Sequence, residues 1–122
     1  MPKRRHYEHD QQCDLFKWRD ISLHKYPELK WMHSYPASAR RSPRQGAWMK
    51  AEGMRAGIWD IYIPWPVQKY TGAYIEMKST GNKLTPEQEE FKKDNPQFWY
   101  AVCYDWVQAR DAIILYLAGE RF

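Results

Sequence analysis

The chain has 122 residues, which is enough for one domain around a single hydrophobic core. Apolar residues make up 43% and charged residues 28%, as in an ordinary globular protein. No apolar run approaches the roughly 18 residues that span a bilayer, and the basic N-terminus lacks the apolar stretch of a signal peptide. We therefore expect no membrane association, and the two cysteines predict reduced thiols in a cytoplasmic protein.

Positive charge is concentrated in one segment of the chain. Lysine and arginine number 19 against 15 acidic residues, and positions 38–55 hold five basic residues and one acid. A local excess of this kind favours a polyanionic partner such as DNA, although a solvated loop with incidental arginines would give the same pattern. The basic side chains that we expect to contact DNA phosphates are Arg40, Arg41, Arg44, Lys50 and Arg55.

The N-terminal part of the chain predicts an arm followed by a helix. We expect residues 1–7 to form a loose basic arm and residues 8–118 to form the single domain. Apolar positions recur at helical spacing from Glu8 to about His24 and predict the first helix. The helix ends before Pro27, because the residue that precedes a proline avoids the α region.

The middle of the chain predicts three strands and a short helix. Residues 31–35 predict a short strand, and residues 46–52 predict a helix with Gly53 at its C-terminal end. Two further strands are predicted over residues 58–63 and 73–78. Because these two strands are close in sequence, we expect them to pair as an antiparallel hairpin.

The C-terminal part predicts a helix, a strand and a last helix. Thr85 as N-cap, Pro86 at the first helical position and Gln88 three residues after the cap predict the start of a helix. Residues 98–104 predict a strand that returns in parallel, and residues 105–117 predict an amphipathic helix. Helices mixed among four strands predict an α/β fold with a central mixed sheet flanked by helices.

Two acidic side chains interrupt otherwise apolar strands. Asp60 lies in one strand of the predicted hairpin and Glu76 in the other, and Lys78 lies on the same strand face as Glu76. If the strands pair, the two carboxylates converge, and a divalent cation would relieve their repulsion. Such a site can activate a water, while the lysine stabilises charge on a phosphoryl group. An ion pair on a solvated sheet face would give the same spacing.

Short motifs along the chain resemble those of one nuclease family. The stretches 57–60 (Gly-Ile-Trp-Asp) and 75–78 (Ile-Glu-Met-Lys) resemble the active-site pattern of the PD-(D/E)xK nuclease superfamily. The wider context resembles the VRR-NUC family, the virus-type replication and repair nucleases, in segments at Glu8–Gln12, Tyr26–Leu29, Met49–Gly57, Leu84–Gln88 and Val102–Leu117. The chain departs from that family at Trp59, where proline is usual, and at 36–39, where Pro-Asn-Gly-Gly is frequent.

The resemblance implies a metal-dependent DNA endonuclease with a restriction-endonuclease-like core. It implies that Asp60, Glu76 and the backbone carbonyl of Met77 bind Mg²⁺ or Mn²⁺, and that Lys78 is the catalytic lysine.

It also assigns two residues outside these strands. Glu8 would reach the site from the first helix, through water or a second metal ion, and Gln88 would help to orient the catalytic lysine. Judged on the residues alone, Glu8 is equally a first-turn acid favoured by the helix dipole, and Gln88 is equally a capping-box partner of Thr85.

Stand-alone members of the family resemble phage or prophage proteins, and some resemble Holliday-junction resolvases that act as homodimers. We therefore expect a homodimer that acts on branched DNA in the cytoplasm of a bacterial host. Aromatic residues reach 16% of the chain, and the candidates for an aromatic interface are Trp65, Trp99, Trp106 and Tyr116. Two alternatives remain, namely a non-catalytic DNA-binding module of the same fold and a small structural DNA-binding protein that uses only the basic segment.

Overall fold

A computed structural model describes residues 4–35 and 42–119, and its centre is one four-stranded sheet. The strands are β1 (His33–Ser34), β2 (Ile61–Ile63), β3 (Ala73–Met77) and β4 (Trp99–Cys103), and they lie side by side in that order. The β1–β2 and β2–β3 pairs are antiparallel, and the β3–β4 pair is parallel. The predicted α/β class, the hairpin and the mixed sheet are therefore confirmed.

Helices cover both faces of this sheet. They are α1 (Arg4–Ile21), a 3₁₀ helix (Pro27–Trp31), α2 (Pro43–Ala51), α3 (Pro86–Asp94) and α4 (Trp106–Leu117). Helices α1 and α4 contact each other and pack on one face of β3. Helix α3 packs on the opposite face, where Phe91 meets the ring of Tyr74 at 5.2 Å.

The two sheet faces differ in chemistry because successive side chains of a strand point in opposite directions. The face toward α1 and α4 forms the apolar core, which includes Ile61, Ile63, Ala73, Ile75, Ala101 and Cys103. The face toward α3 carries half-buried tyrosines, with the rings of Tyr62 and Tyr74 stacked at 4.7 Å. Burial raises the pKa of Tyr100 on this face to about 12.

Two N-terminal boundaries differ from the prediction. Helix α1 begins at Arg4, so residues 4–7 belong to the helix rather than to a loose arm. The reason is a tertiary contact, since the hydroxyl of Tyr7 donates a hydrogen bond to the carbonyl of Tyr104 at 2.8 Å. The strand predicted over residues 31–35 is shorter, because the 3₁₀ helix that starts at Pro27 continues to Trp31.

The short helix and the first hairpin strand also have shifted boundaries. Helix α2 begins at Pro43, three residues before its predicted start, because Ser42 and Gln45 form a capping box. Gly53 adopts a positive φ just beyond this helix, as the prediction of a C-terminal glycine requires. Strand β2 begins only at Ile61, so Asp60 lies immediately before the strand rather than inside it.

The C-terminal elements follow the prediction closely. Thr85 and Gln88 form the expected capping box at the start of α3. Asp105 caps α4 by accepting a hydrogen bond from the backbone N–H of Gln108 at 2.7 Å. Among the described residues, no helix has both the length and the apolar character needed to cross a bilayer.

Two of the four aromatic interface candidates were wrong. Trp99 is 6% exposed and Tyr116 is 1% exposed, because both rings pack together in the core at a centroid distance of 5.2 Å. Trp106 is half-buried against the same core. Trp65 alone among the four is well exposed, at 45%.

The two cysteines should differ sharply in reactivity. Cys13 is exposed, whereas Cys103 is buried, and burial together with the nearby Asp105 raises the pKa of the Cys103 thiol to about 12. We expect a thiol reagent at pH 8 to label one cysteine in the folded protein and two after denaturation. Mass spectrometry of the labelled peptides checks this, and rapid labelling of Cys103 in the folded protein would contradict the described core.

Candidate active site

The register of the hairpin brings the two buried acids together. Ile61 pairs with Ile75 in the antiparallel hairpin. The next pair in this register is Asp60 and Glu76, which therefore lie directly opposite each other. The backbone N–H of Asp60 donates to Glu76 Oε1 at 3.0 Å, and the N–H of Met77 donates to Asp60 Oδ2 at 3.4 Å. Each carboxylate is thus bound to the backbone of the neighbouring strand. The convergence predicted from the sequence is present.

Glu76 is the most enclosed charged group of the site, with 3% of its surface exposed. Its Oε2 atom accepts a hydrogen bond from Gln88 Nε2 at 2.8 Å and lies 3.3 Å from Lys78 Nζ. The Lys78 side chain is 13% exposed, so this ion pair is largely shielded from water. Removing one partner of such a pair typically costs about 3–5 kcal/mol, because the other charge stays buried without compensation.

Gln88 serves both as a capping residue and as a contact of the site. Its backbone N–H donates to Thr85 Oγ1 at 3.1 Å, and its Oε1 accepts from the N–H of Thr85 at 3.0 Å. The amide oxygen is therefore held by the helix start, which turns the amide nitrogen toward Glu76. Gln88 contacts the same Glu76 oxygen as Lys78 does, so its link to the lysine runs through that oxygen.

Trp59 is a structural partner of the site that the sequence analysis did not identify. Its indole N–H donates to the carbonyl of Gln88 at 3.1 Å, and its ring lies 4.8 Å from that of Tyr100. The residue before Asp60 therefore ties the hairpin to α3, which carries Gln88. The signal in the sequence was the tryptophan itself, at a position where the resembling family has proline.

The approach of the chain to α3 also explains Gly57. This residue has a φ of +97°, and a Cβ atom there would lie 2.7 Å from the carbonyl oxygen of Glu87. A larger residue would push the chain away from the first turn of α3. Gly57 thus allows Trp59 to reach its hydrogen bond.

Glu8 approaches the end of β3 from α1. Its Oε2 accepts hydrogen bonds from both the backbone N–H and the hydroxyl of Ser79, each at 2.8 Å. Because α1 begins at Arg4, Glu8 does not lie in the first turn, and the helix-dipole explanation for this acid was wrong. Within the described part of the chain, no group of three or more His, Cys, Asp and Glu side chains is arranged to hold a metal ion.

The predicted DNA-contacting residues divide into two groups. Arg40 and Arg41 lie outside the described residues. Arg44 and Lys50 lie on α2 and Arg55 follows it, and all three side chains are exposed. None of the three contacts the carboxylates through a hydrogen bond or ion pair found among the described residues.

Tyr35 nevertheless links the end of α2's segment to the backbone of Asp60. The backbone N–H of Tyr35 donates to the carbonyl of Asp60 at 2.6 Å. The N–H of Arg55 donates to the hydroxyl of the same tyrosine at 2.9 Å. Tyr35 therefore anchors both ends of the segment that contains α2 at the acidic end of the hairpin.

The chemistry of the site fits a divalent cation. Asp60 and Glu76 supply carboxylate oxygens, which are the donors that Mg²⁺ and Mn²⁺ prefer. Together with Glu8 and Lys78 they carry a net charge of −2 when all four are ionised, and a divalent ion would balance it. A groove of about 760 Å³ runs along α3 and β4 past Lys92 and Tyr100, but its lining includes none of these four residues.

Comparisons with known proteins give a family match and a similar solved structure. A model of the VRR-NUC domain family matches residues 2–103 of the chain. A solved structure described as a VRR_NUC domain protein is 25% identical, with a TM-score of 0.59 over 75% of this chain and 71% of that chain. A search of curated proteins found no match.

Substitution of Asp60 by asparagine removes the negative charge of the side chain and keeps its shape. Asp60→Asn removes the repulsion between the two carboxylates, so in EDTA we expect an unchanged or slightly higher melting temperature. Addition of Mg²⁺ should stabilise the wild-type protein more than the variant. Thermal unfolding followed by circular dichroism measures both effects, with Asp10→Asn on the exposed face of α1 as the control. Strong destabilisation of Asp60→Asn in EDTA would mean that the charge of Asp60 supports the fold.

Proposed function

The chain belongs to the VRR-NUC family and has a nuclease-family fold, and we propose that it is a metal-dependent endonuclease that hydrolyses phosphodiester bonds in DNA. The observation that supports this proposal most directly is the buried pair of Asp60 and Glu76 with Lys78 Nζ 3.3 Å from Glu76. Two acids that can bind a divalent ion and a lysine that can stabilise phosphoryl charge suit metal-assisted phosphodiester hydrolysis. A non-catalytic module of the same fold would have no need to bury them.

In this proposal Asp60, Glu76 and the carbonyl of Met77 hold Mg²⁺ or Mn²⁺, as suits a family that generally uses divalent metal ions. Glu8 contributes through water or a second ion, because its Oε2 atom already accepts two hydrogen bonds from Ser79. A bound divalent ion of this kind lowers the pKa of its water and stabilises negative charge on a phosphoryl group.

The other site residues hold each other in position and neutralise negative charge. The ammonium group of Lys78 stabilises the charge that develops on the phosphate or orients the attacking water. Its burial strengthens this interaction, since water screens it less than at the surface. Glu76 keeps the lysine at the site, and Gln88 keeps Glu76 in place through the 2.8 Å hydrogen bond.

The basic segment supplies the surface for the DNA backbone. Arg44 and Lys50 on α2 and the following Arg55 are exposed and contact phosphates in this proposal, together with Arg40 and Arg41. The hydrogen bonds of Tyr35 keep both ends of this segment near Asp60, so phosphates bound there lie near the carboxylates.

The preferred substrate in this proposal is branched DNA, and the active form is a homodimer. The described residues of one chain contain one such site, whereas the resolution of a four-way junction needs two cuts. A two-fold axis would present two sites with the symmetry of the junction. Trp65, held between Pro64 and Pro66 and 45% exposed, is the interface candidate that the fold leaves at the surface.

Cleavage should require a small divalent cation. Incubation with plasmid or branched DNA should give products with Mg²⁺ or Mn²⁺ and none in EDTA. Ca²⁺ should support little turnover, because its looser coordination positions water and phosphate less well. Gel electrophoresis of the products tests the proposed activity. Cleavage by pure protein in EDTA would contradict the metal-dependent mechanism.

Removal of basic side chains from α2 should change the salt dependence of DNA binding. For the double variant Arg44→Ala/Lys50→Ala, the slope of log K against log salt should become shallower by about 0.9 for each phosphate that the protein no longer neutralises. A control with the same charge change is Lys17→Ala/Lys93→Ala, since both of these lysines are exposed on other helices. Equal slopes for the two double variants, measured by fluorescence anisotropy, would remove α2 from the DNA interface.

The assembly should depend on Trp65. Light scattering at micromolar concentration should give the mass of a dimer, and Trp65→Arg should give that of a monomer because a charge would enter the interface. Light scattering of the wild-type protein bound to a junction provides the second measurement. A monomer in both conditions would rule out the homodimer.

A further inference from the structure

Helix α2 is unusual because it buries none of its side chains. Isolated helices shorter than about 12–15 residues are marginal in water, and α2 has nine residues. Its capping box satisfies the first turn, and the hydrogen bond between Arg55 and Tyr35 closes the segment behind it. As far as the described residues show, α2 exposes most of its surface to a partner, with only Gly46 and Met49 half-buried.

The surface of α2 combines an aromatic ring with positive charge. Trp48 is 62% exposed, and the guanidinium of Arg44 lies 5.2 Å above the centre of its ring. Lys50 on the same helix is also exposed. An exposed aromatic ring beside cations is the combination that binds unpaired bases, because the ring stacks on a base while the cations attract the backbone.

The position of Trp48 distinguishes it from the other exposed tryptophans of residues 7–35 and 42–119. Ser34 of β1 pairs with Ile61 of β2. Asp60 precedes Ile61 and therefore lies at one end of this strand pair, whereas Trp31 and Trp65 lie beyond the other end. Trp48 lies on the segment that leaves and rejoins the sheet at the Asp60 end. It is therefore the exposed tryptophan associated with the acidic end of the hairpin.

We infer that Trp48 stacks on an unpaired base of branched DNA and that Arg44 contacts a phosphate next to it. This inference rests on the proposed nuclease function and adds the residue that selects the DNA structure. Bases inside a duplex already stack on both neighbours, so Trp48 finds a free base face where stacking is interrupted, and most readily at the unpaired bases of a branch point. A second copy of the chain is a poorer occupant, because a symmetric contact through α2 would bring its basic side chains together.

The test compares binding to a splayed fork with binding to a blunt duplex of equal length. All proteins carry Asp60→Asn, so that the DNA is not cut. Trp48→Ala should weaken fork binding on the order of tenfold, the effect of removing one base–aromatic stack, and change duplex binding less than twofold. Trp48→Phe should recover part of the affinity. The matched control is Trp31→Ala, which removes a tryptophan that is 69% exposed and has Lys30 over its ring.

A spectroscopic measurement distinguishes stacking from a general decrease in affinity. With 2-aminopurine as the unpaired base at the fork, binding of a protein that retains Trp48 should quench the fluorescence, and Trp48→Ala should abolish this quenching at saturation. Circular dichroism verifies that the variants fold.

Three results would overturn the inference. The first is unchanged fork affinity in Trp48→Ala, and the second is an equal decrease in affinity for fork and duplex. The third is conversion of a dimer into a monomer by Trp48→Ala, which would assign α2 to an interface between copies. If the protein with intact Trp48 binds neither the fork nor the duplex, the proposed nuclease function fails together with the inference. The other three results overturn only the inference.

Discussion

The site is organised around two carboxylates that lie side by side in a buried position. Such a pair is unfavourable, because the like charges repel and burial removes the water that would screen them. Glu76 is compensated by three donors, namely the N–H of Asp60, the amide of Gln88 and the ammonium of Lys78. A divalent ion bound between the two carboxylates would relieve their mutual repulsion.

Much of the surrounding fold maintains this arrangement. The β2–β3 register sets the two acids opposite each other, and the capping box of α3 fixes the amide of Gln88. Trp59 then joins the two units by donating a hydrogen bond from the hairpin to the carbonyl of Gln88. Glu76 therefore lies on a strand and Asp60 directly before one, and the hydrogen bonds between these elements are a suitable support for a site that needs defined geometry.

The parts that could be predicted from the sequence are those set by local patterns. The two-residue period of strands indicated that Glu76 and Lys78 share a face, and the spacing of Thr85 and Gln88 indicated the start of α3. Contacts between distant residues leave no such pattern. Glu8 meets Ser79 across 71 positions, and Tyr7 extends α1 through a contact 97 positions away.

The interface prediction was wrong for two residues for a similar reason, because amino-acid composition does not show which aromatic rings are buried in the core. Trp99 and Tyr116 pack against each other inside, whereas Trp48, which was not a candidate, is 62% exposed. The start of α2 is a different case, because Ser42 and Gln45 have the same local spacing as Thr85 and Gln88, and the sequence therefore already held the signal for a start at Pro43. The exposure of individual aromatic rings required the structure.

The most direct test of the account is the rate of a single round of DNA cleavage by Lys78→Met, a variant that keeps the length of the side chain and removes its charge. Loss of the ion pair with Glu76 should lower the melting temperature, and circular dichroism and the stabilisation by Mg²⁺ should show that the variant still folds and binds metal. We predict that its cleavage rate falls by on the order of 100-fold or more, the decrease expected when a group that stabilises transition-state charge is removed. Cleavage at the wild-type rate by the folded, metal-binding variant would contradict the assignment of this site as the catalytic centre.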